Sequence, residues 1–262
     1  MTYLAAASSA LRPVLAGPAG PAEFLGVTRG ALYLKITAPP GVLALLSHDA
    51  VRLPCGLVLP VMSAELPLRS LVPLSTAAFM VGDNAVSWTG PAGPVVVRAA
   101  REWGPARLAR GELNVGALAV VRSALRLDDR EVLADTAATR LLGRGPGLTP
   151  SGDDVLTGFL VGAAVFGLDA AALRHTIAVL APARTTALSA ALLWHAARGE
   201  CIDELAAVAA VLTGRSEPHG SERVGRAVSR LLAVGHSSGA ALALGLVTAA
   251  ESALRRREGR AA

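Results

Sequence analysis

The sequence predicts an α+β protein, an N-terminal β-rich unit followed by an all-helical C-terminal unit. Three observations carry that prediction. From Glu23 to about Arg101 the apolar runs are short and broken by Gly and Pro, whereas beyond Gly111 the punctuation thins and Ala and Leu take over. A chain of 262 residues is long enough for one large domain or two modest ones, with a full core that needs no disulfide or metal. The stretch Gly143 to Asp154 is dense in Gly and Pro and feeds an apolar run, the pattern of a shaped loop leading into a helix.

Within the β-rich unit, placed at residues 1–110, strand-length runs occur at Ala31–Ile36, Val42–Leu46, Leu57–Val61, Ala78–Val81 and Val95–Arg98. Gly82-Asp83-Asn84 lies between two of these apolar segments and predicts a hairpin, because Asp and Asn tolerate the positive φ of a tight turn. His48-Asp49, with Arg52 nearby, is a weak candidate to reach a cleft between the two parts. In the helical unit, residues 111–262, helices are expected near Val115–Leu127, Arg130–Leu142, Ser151–Leu168, Ala170–Leu180, Thr185–Gly199, Ile202–Leu212, Glu222–Val234 and Ser237–Arg257.

Composition narrows the function classes. Hydrophobic residues make up 52%, but alanine supplies much of that, and Val155–Leu168 falls short of the roughly 20 residues that cross a bilayer. No membrane span is expected. The net charge of +5 is almost all arginine, Lys35 being the one lysine, and Arg255-Arg256-Arg257 with Arg260 reads as a solvated helix end. Aromatic residues at 3% leave few stacking platforms, so nucleic acid is not an expected partner. Cys55 and Cys201 are far apart and lack metal-type neighbours, and Met1 to Leu15 has no basic start before an apolar run. A cytoplasmic protein without a disulfide framework or zinc site is expected.

Three constellations are candidates for chemistry. The first is Gly145-Pro146-Gly147-Leu148-Thr149-Pro150-Ser151-Gly152-Asp153-Asp154. A glycine-rich loop at a helix N-terminus suits an anion, yet Asp153 and Asp154 in the first turn repel a bare phosphate. The aspartates either offset the dipole and cap the helix, accept hydrogen bonds from a ligand N–H, or hold a hard cation such as magnesium. Ser151 with Asp154 fits a capping box, which leaves Asp153 as the functional acid. The second is Gly235-His236-Ser237-Ser238-Gly239, a helix start without an acid, suited to a phosphate or carboxylate, with His236 at its edge as general acid or cationic clamp. The third is Arg184-Thr185-Thr186, opening a helix whose face also carries Leu188, Ala191 and His195; Arg184 suits a bidentate anion contact, and His195 reads as a satisfied interfacial residue.

These three motifs, in order and spacing, resemble a bacterial family long known as a domain of unknown function, which includes the small third subunit of the oxamate carbamoyltransferase of anaerobic allantoin breakdown. The resemblance runs from about Ala138 to the C-terminus. It implies a carbamoyltransferase, interconverting oxalurate plus phosphate with oxamate plus carbamoyl phosphate, assembled with larger partner subunits. The resemblance assigns no residue roles; from the chemistry of the residues themselves, Asp153 and His236 are the expected catalytic groups, and Thr149, Ser151, Gly152, Arg184, Thr185, Ser237, Ser238 and Gly239 the expected substrate contacts. Asp153 and Asp154 are the expected ligands of any magnesium, and the substrate is a small anion. The alternative is a non-catalytic anion-binding or regulatory subunit. The shared-site reading places the two Ser-Gly helix starts beside each other.

Overall fold

The computed structural model describes residues 1–39, 41–65, 68–71, 78–125, 138–214 and 221–261. It divides into two compact units, Met1–Pro105 and Ala106–Ala262. The architecture is α+β, strands first and helices after.

The first unit is a closed barrel with the strand order β1-β5-β4-β3-β2-β6-β7-β8. Its strands are β1 (Thr2–Ser8), β2 (Gly20–Val27), β3 (Ala31–Lys35), β4 (Val42–Leu46), β5 (Gly56–Val58), β6 (Phe79–Gly82), β7 (Ala85–Gly90) and β8 (Gly93–Trp103). Between β1 and β2 lies the short helix α1 (Arg12–Leu15). The apolar runs of β3 and β4 are buried and pair antiparallel, from Ala31 opposite Leu46 to Lys35 opposite Val42. The hairpin between β6 and β7 turns at Asp83 and Asn84, both at positive φ (50° and 57°), as its sequence predicts. Two strands were not legible. β1 is rich in Ala and β2 carries Gly and Pro, so neither has strand propensity of its own; both are held by pairing, β1 between β5 and β8, β2 between β3 and β6. The run expected at Leu57–Val61 is a strand only over Gly56–Val58.

The second unit contains α2 (Val115–Leu125), α3 (Ala138–Leu141), α4 (Ser151–Phe166), α5 (Ala171–Arg184), α6 (Ala187–Ala196), α7 (Asp203–Leu212), α8 (Ser221–Leu232) and α9 (Ser238–Ala261). A two-stranded sheet pairs β9 (Ala106–Arg107) with β10 (Glu200–Cys201). Of the helix expected at Arg130–Leu142, residues 130–137 lie outside the described residues. α5 runs past Pro182 to Arg184, so Arg184 closes that helix rather than opening the next; this corrects the face proposed to join it to Leu188, Ala191 and His195. Among the described residues, no helix is long and apolar enough to cross a membrane.

α4 and α9 form the core of this unit, side by side and parallel. Glycine sets their separation. A Cβ on Gly158 would stand 2.0 Å from the Leu242 carbonyl oxygen, and one on Gly245 would stand 2.0 Å from that of Val155. Only glycine at both positions lets the backbones meet this closely. The approach continues along the pair, where Leu156, Leu160, Leu246 and Val247 are buried. Because the helices run in the same direction, their N-termini emerge together.

Candidate functional site

The two Ser-Gly helix starts meet at that shared end. The Thr149 and Ser238 hydroxyls are 3.0 Å apart, and those of Ser151 and Ser237 are 3.4 Å apart. Two helix N-termini converge here, each contributing a partial positive charge. Into this field the sequence places Asp153 and Asp154, 1% and 5% exposed.

The two carboxylates are held differently. Asp153 turns away from the α9 start: its Oδ1 accepts the Gly143 N–H at 2.7 Å, and its Oδ2 accepts the Thr185 hydroxyl. It thereby ties three segments together, the loop after α3, the first turn of α4 and the link between α5 and α6. Gly143, at φ 74°, sits directly against the carbonyl of Arg184, and a Cβ there would be 1.9 Å from that oxygen. Beside it, the Thr186 hydroxyl donates to the Leu148 carbonyl at 2.6 Å and accepts the Ser189 N–H at 3.1 Å, capping α6.

Asp154 is left with a buried Oδ2 that has no hydrogen-bond partner. Burial raises its carboxyl to about 7; the nearby negative charge of Asp153 pushes the same way, while the hydroxyls of Ser238 and Thr149 oppose both. The capping-box reading is therefore corrected. The N-cap position of α4 is Pro150, without a side-chain cap, and Ser151 is already the first helical residue. The Pro150 carbonyl takes up the N–H groups of Asp153 and Asp154, at 2.9 and 3.2 Å.

Backbone donors expected to cradle an anion are largely engaged inside the protein. Gly152 N–H donates to Arg144 O, and Gly239 N–H donates to Val234 O. Both glycines instead permit close packing, Gly152 against Leu141 and Gly239 against Leu231. What faces outward is a row of hydroxyls, Thr149, Ser151, Ser237 and Ser238. His236 and Arg184 are exposed and make no hydrogen bond or ion pair among the described residues.

The donor set is a poor fit to magnesium. Both oxygens of Asp153 are engaged by Gly143 and Thr185, which leaves Asp154 as the one open carboxylate of the pair, and among the described residues no third carboxylate joins them. Among the described residues no group of three or more His, Cys, Asp or Glu is arranged to hold a metal ion.

The remaining polar candidates lie elsewhere. His195 is completely buried, its Nδ1 2.6 Å from Glu200 Oε2, while Arg107 binds the other Glu200 oxygen and ties β9 to β10. Burial works to raise the Glu200 carboxyl, but hydrogen bonds from His195 and Arg107 outweigh it and leave the group below its ordinary range. His195 is thus a core residue and not an interfacial one, and its Nε2 has no partner. In the barrel unit, Asp49 accepts the Ser63 N–H and O–H at 2.7 and 2.6 Å, which hold its carboxyl well below the usual range and make it a turn-forming residue; His48 is exposed. Cys55 and Cys201 are free and buried, and burial pushes both thiols up to about 12.

Residues 141–250, which contain all three motifs, match the family described as oxamate carbamoyltransferase subunit AllH. The match supports the resemblance read from the motifs and lies wholly within the helical unit. No solved structure matches the chain.

Proposed function

We propose that this chain is a subunit of a carbamoyltransferase of the oxamate and carbamoyl phosphate type, and that the junction of the α4 and α9 N-termini binds the small anionic substrate. One observation carries the reading: Asp154 presents an unpartnered buried carboxyl oxygen beside the Ser238 and Thr149 hydroxyls, where two helix N-termini meet. A buried polar atom without a partner has a large desolvation penalty unless a ligand supplies the missing bond.

Carbamoyl transfer has demands that this junction answers. A bond forms between the oxamate nitrogen and the carbamoyl carbon, the bond from that carbon to the phosphate oxygen breaks, and the nitrogen gives up a proton. Asp154, titrating near neutrality, is suited to accept an N–H and to take that proton. Hydroxyls of Thr149, Ser151, Ser237 and Ser238, together with the two dipoles, stabilise the negative charge carried by the phosphate and developing at the carbamoyl oxygen. The exposed side chains of His236 and Arg184 are the candidates for cationic or proton-donating contacts to the substrate. Asp153 and Thr185 act as positioning residues that hold the loop after α3 and the α5–α6 link against α4.

The experiment is a ligand panel followed by turnover. Carbamoyl phosphate, oxamate and phosphate are titrated against the chain by thermal shift, and carbamoyl transfer is then measured with and without the larger subunits. Stabilisation by carbamoyl phosphate that disappears in Asp154→Asn, together with transfer by the assembled enzyme, is the expected result. Ligand-dependent stabilisation that Asp154→Asn leaves intact contradicts the assignment of the site.

A further inference from the structure

The loop between α3 and α4 is tied down at successive backbone positions. Gly143 N–H donates to Asp153 Oδ1 at 2.7 Å, Arg144 N–H donates to the Leu141 carbonyl at 2.9 Å, and the Arg144 carbonyl accepts Gly152 N–H at 2.9 Å. Gly152 has to be glycine for this, since a Cβ there would stand 2.0 Å from the Leu141 carbonyl oxygen and 3.2 Å from the Arg144 Cβ. The next residue, Gly145, at φ 117°, lies against Ser151: a Cβ on it would stand 2.9 Å from the Ser151 nitrogen and 3.5 Å from the hydroxyl oxygen. Arg144 is therefore rooted beside the first turn of α4, one residue from the point where the loop meets the hydroxyl row.

Its backbone is fixed, but its side chain is not engaged. Arg144 is exposed and makes no hydrogen bond or ion pair among the described residues. The same holds for Arg184, whose carbonyl oxygen is the atom that Gly143 packs against. Two guanidinium groups thus start from segments in contact with each other, and neither has a carboxylate partner among the described residues. Asp153, which links those segments, has both oxygens taken by the neutral donors Gly143 N–H and Thr185 O–H. The junction beside them holds the buried, unpartnered oxygen of Asp154, whose charge repels a bare phosphate. A phosphoryl group bound there needs cations on its other side. Guanidinium forks meet that need, because they donate paired hydrogen bonds to phosphoryl oxygens and keep their charge at any physiological pH.

We propose that Arg144, together with Arg184, holds the phosphoryl group at the α4–α9 junction, so that carbamoyl phosphate lies with its phosphate toward the α3–α4 loop and its amino group toward Asp154. The inference rests on the carbamoyl phosphate reading of the junction and adds to it a binding residue and an orientation. It also divides the junction by chemistry. The loop side takes a dianion, which inorganic phosphate also supplies, and the Asp154 side takes an N–H donor, which inorganic phosphate lacks.

The test is calorimetric titration of the full-length chain with inorganic phosphate, carbamoyl phosphate and oxamate. Arg144→Gln is expected to weaken inorganic phosphate and carbamoyl phosphate about tenfold or more, and the monoanion oxamate far less. Arg144→Lys, which keeps the charge and loses the fork, should recover part of that loss. Because the Arg144 side chain is exposed and unpaired, both variants should melt with the parent protein. Asp154→Asn should weaken carbamoyl phosphate and leave inorganic phosphate bound as in the parent. Phosphate affinity in Arg144→Gln equal to the parent's, or an equal loss for oxamate and phosphate, overturns this inference and leaves the reading of the junction standing. A parent chain that binds neither phosphate nor carbamoyl phosphate overturns both.

Discussion

Thr149 and Ser238 are 89 residues apart in sequence, yet their hydroxyl oxygens are 3.0 Å apart. That contact joins the start of α4 to the start of α9, and its geometry follows from glycines deeper in the helix pair. The functional reading depends on it, since it is what turns two ordinary serine-rich helix starts into one lined surface.

The helix approach is tested at Gly158. In Gly158→Ala the added methyl meets the Leu242 carbonyl, and the backbones must separate by an ångström or more. Overpacking of this kind costs about 1–3 kcal/mol. Urea unfolding followed by the helical signal should show that loss, with ligand binding at the α4 and α9 starts weakened as well. A variant as stable as the parent contradicts the glycine-set spacing.

Asp153 is predicted to act through structure. Asp153→Asn replaces one of the oxygens that accept from Gly143 N–H and Thr185 O–H with a donor, so one buried partner goes unsatisfied. A loss of about 1–3 kcal/mol is expected, a fall in Tm of several degrees. An unchanged Tm would show that the clamp does not hold these segments.

The pH dependence has a definite sign. The Asp154 carboxyl titrates at about 7 in the folded protein, against roughly 4 in an unfolded chain. Between those values the folded state binds more protons than the unfolded one, so this residue makes stability fall as pH rises from about 4 to about 7, with no further change above. Asp154→Asn removes that contribution. Its Tm should exceed the parent's by roughly 8 °C or more at pH 8, the equivalent of ~4 kcal/mol, and converge with it near pH 4. A difference in Tm that stays constant with pH contradicts the raised carboxyl.

Ser238→Ala and Thr149→Val probe the hydroxyl row. Each removes a donor to the proposed anion, and Ser238 is only partly buried. Affinity for carbamoyl phosphate should fall about tenfold per hydroxyl, with Tm changed by only a degree or two. Affinity equal to the parent's in both variants removes the hydroxyl row from the site.

Much of this was legible in the sequence and some was not, for physical reasons. The α+β division showed in the change of punctuation near Gly111, and the hairpin at Asp83-Asn84 showed in its turn residues. β1 was hidden because Thr2–Ser8 has little strand propensity and is a strand only through its neighbours β5 and β8. The three motifs were visible as motifs, and the juxtaposition of two helix starts followed from treating them as one site. The division of labour between Asp153 and Asp154 was not visible. It depends on Gly143 and Thr185, 10 and 32 residues from Asp153, whose donors occupy that carboxylate and leave its neighbour open. No local spacing records that. Pro150 takes the N-cap position in place of the expected serine, so that Asp154 has no capping partner and remains a buried acid.

The central claim is that Asp154 faces the substrate of carbamoyl transfer. It is tested most directly by the rate of carbamoyl transfer from carbamoyl phosphate to oxamate in the assembled enzyme carrying Asp154→Asn. The account predicts a loss of about a hundredfold or more in a variant that folds at least as stably as the parent at neutral pH. Turnover equal to the parent's, from a variant shown to be incorporated and folded, contradicts it.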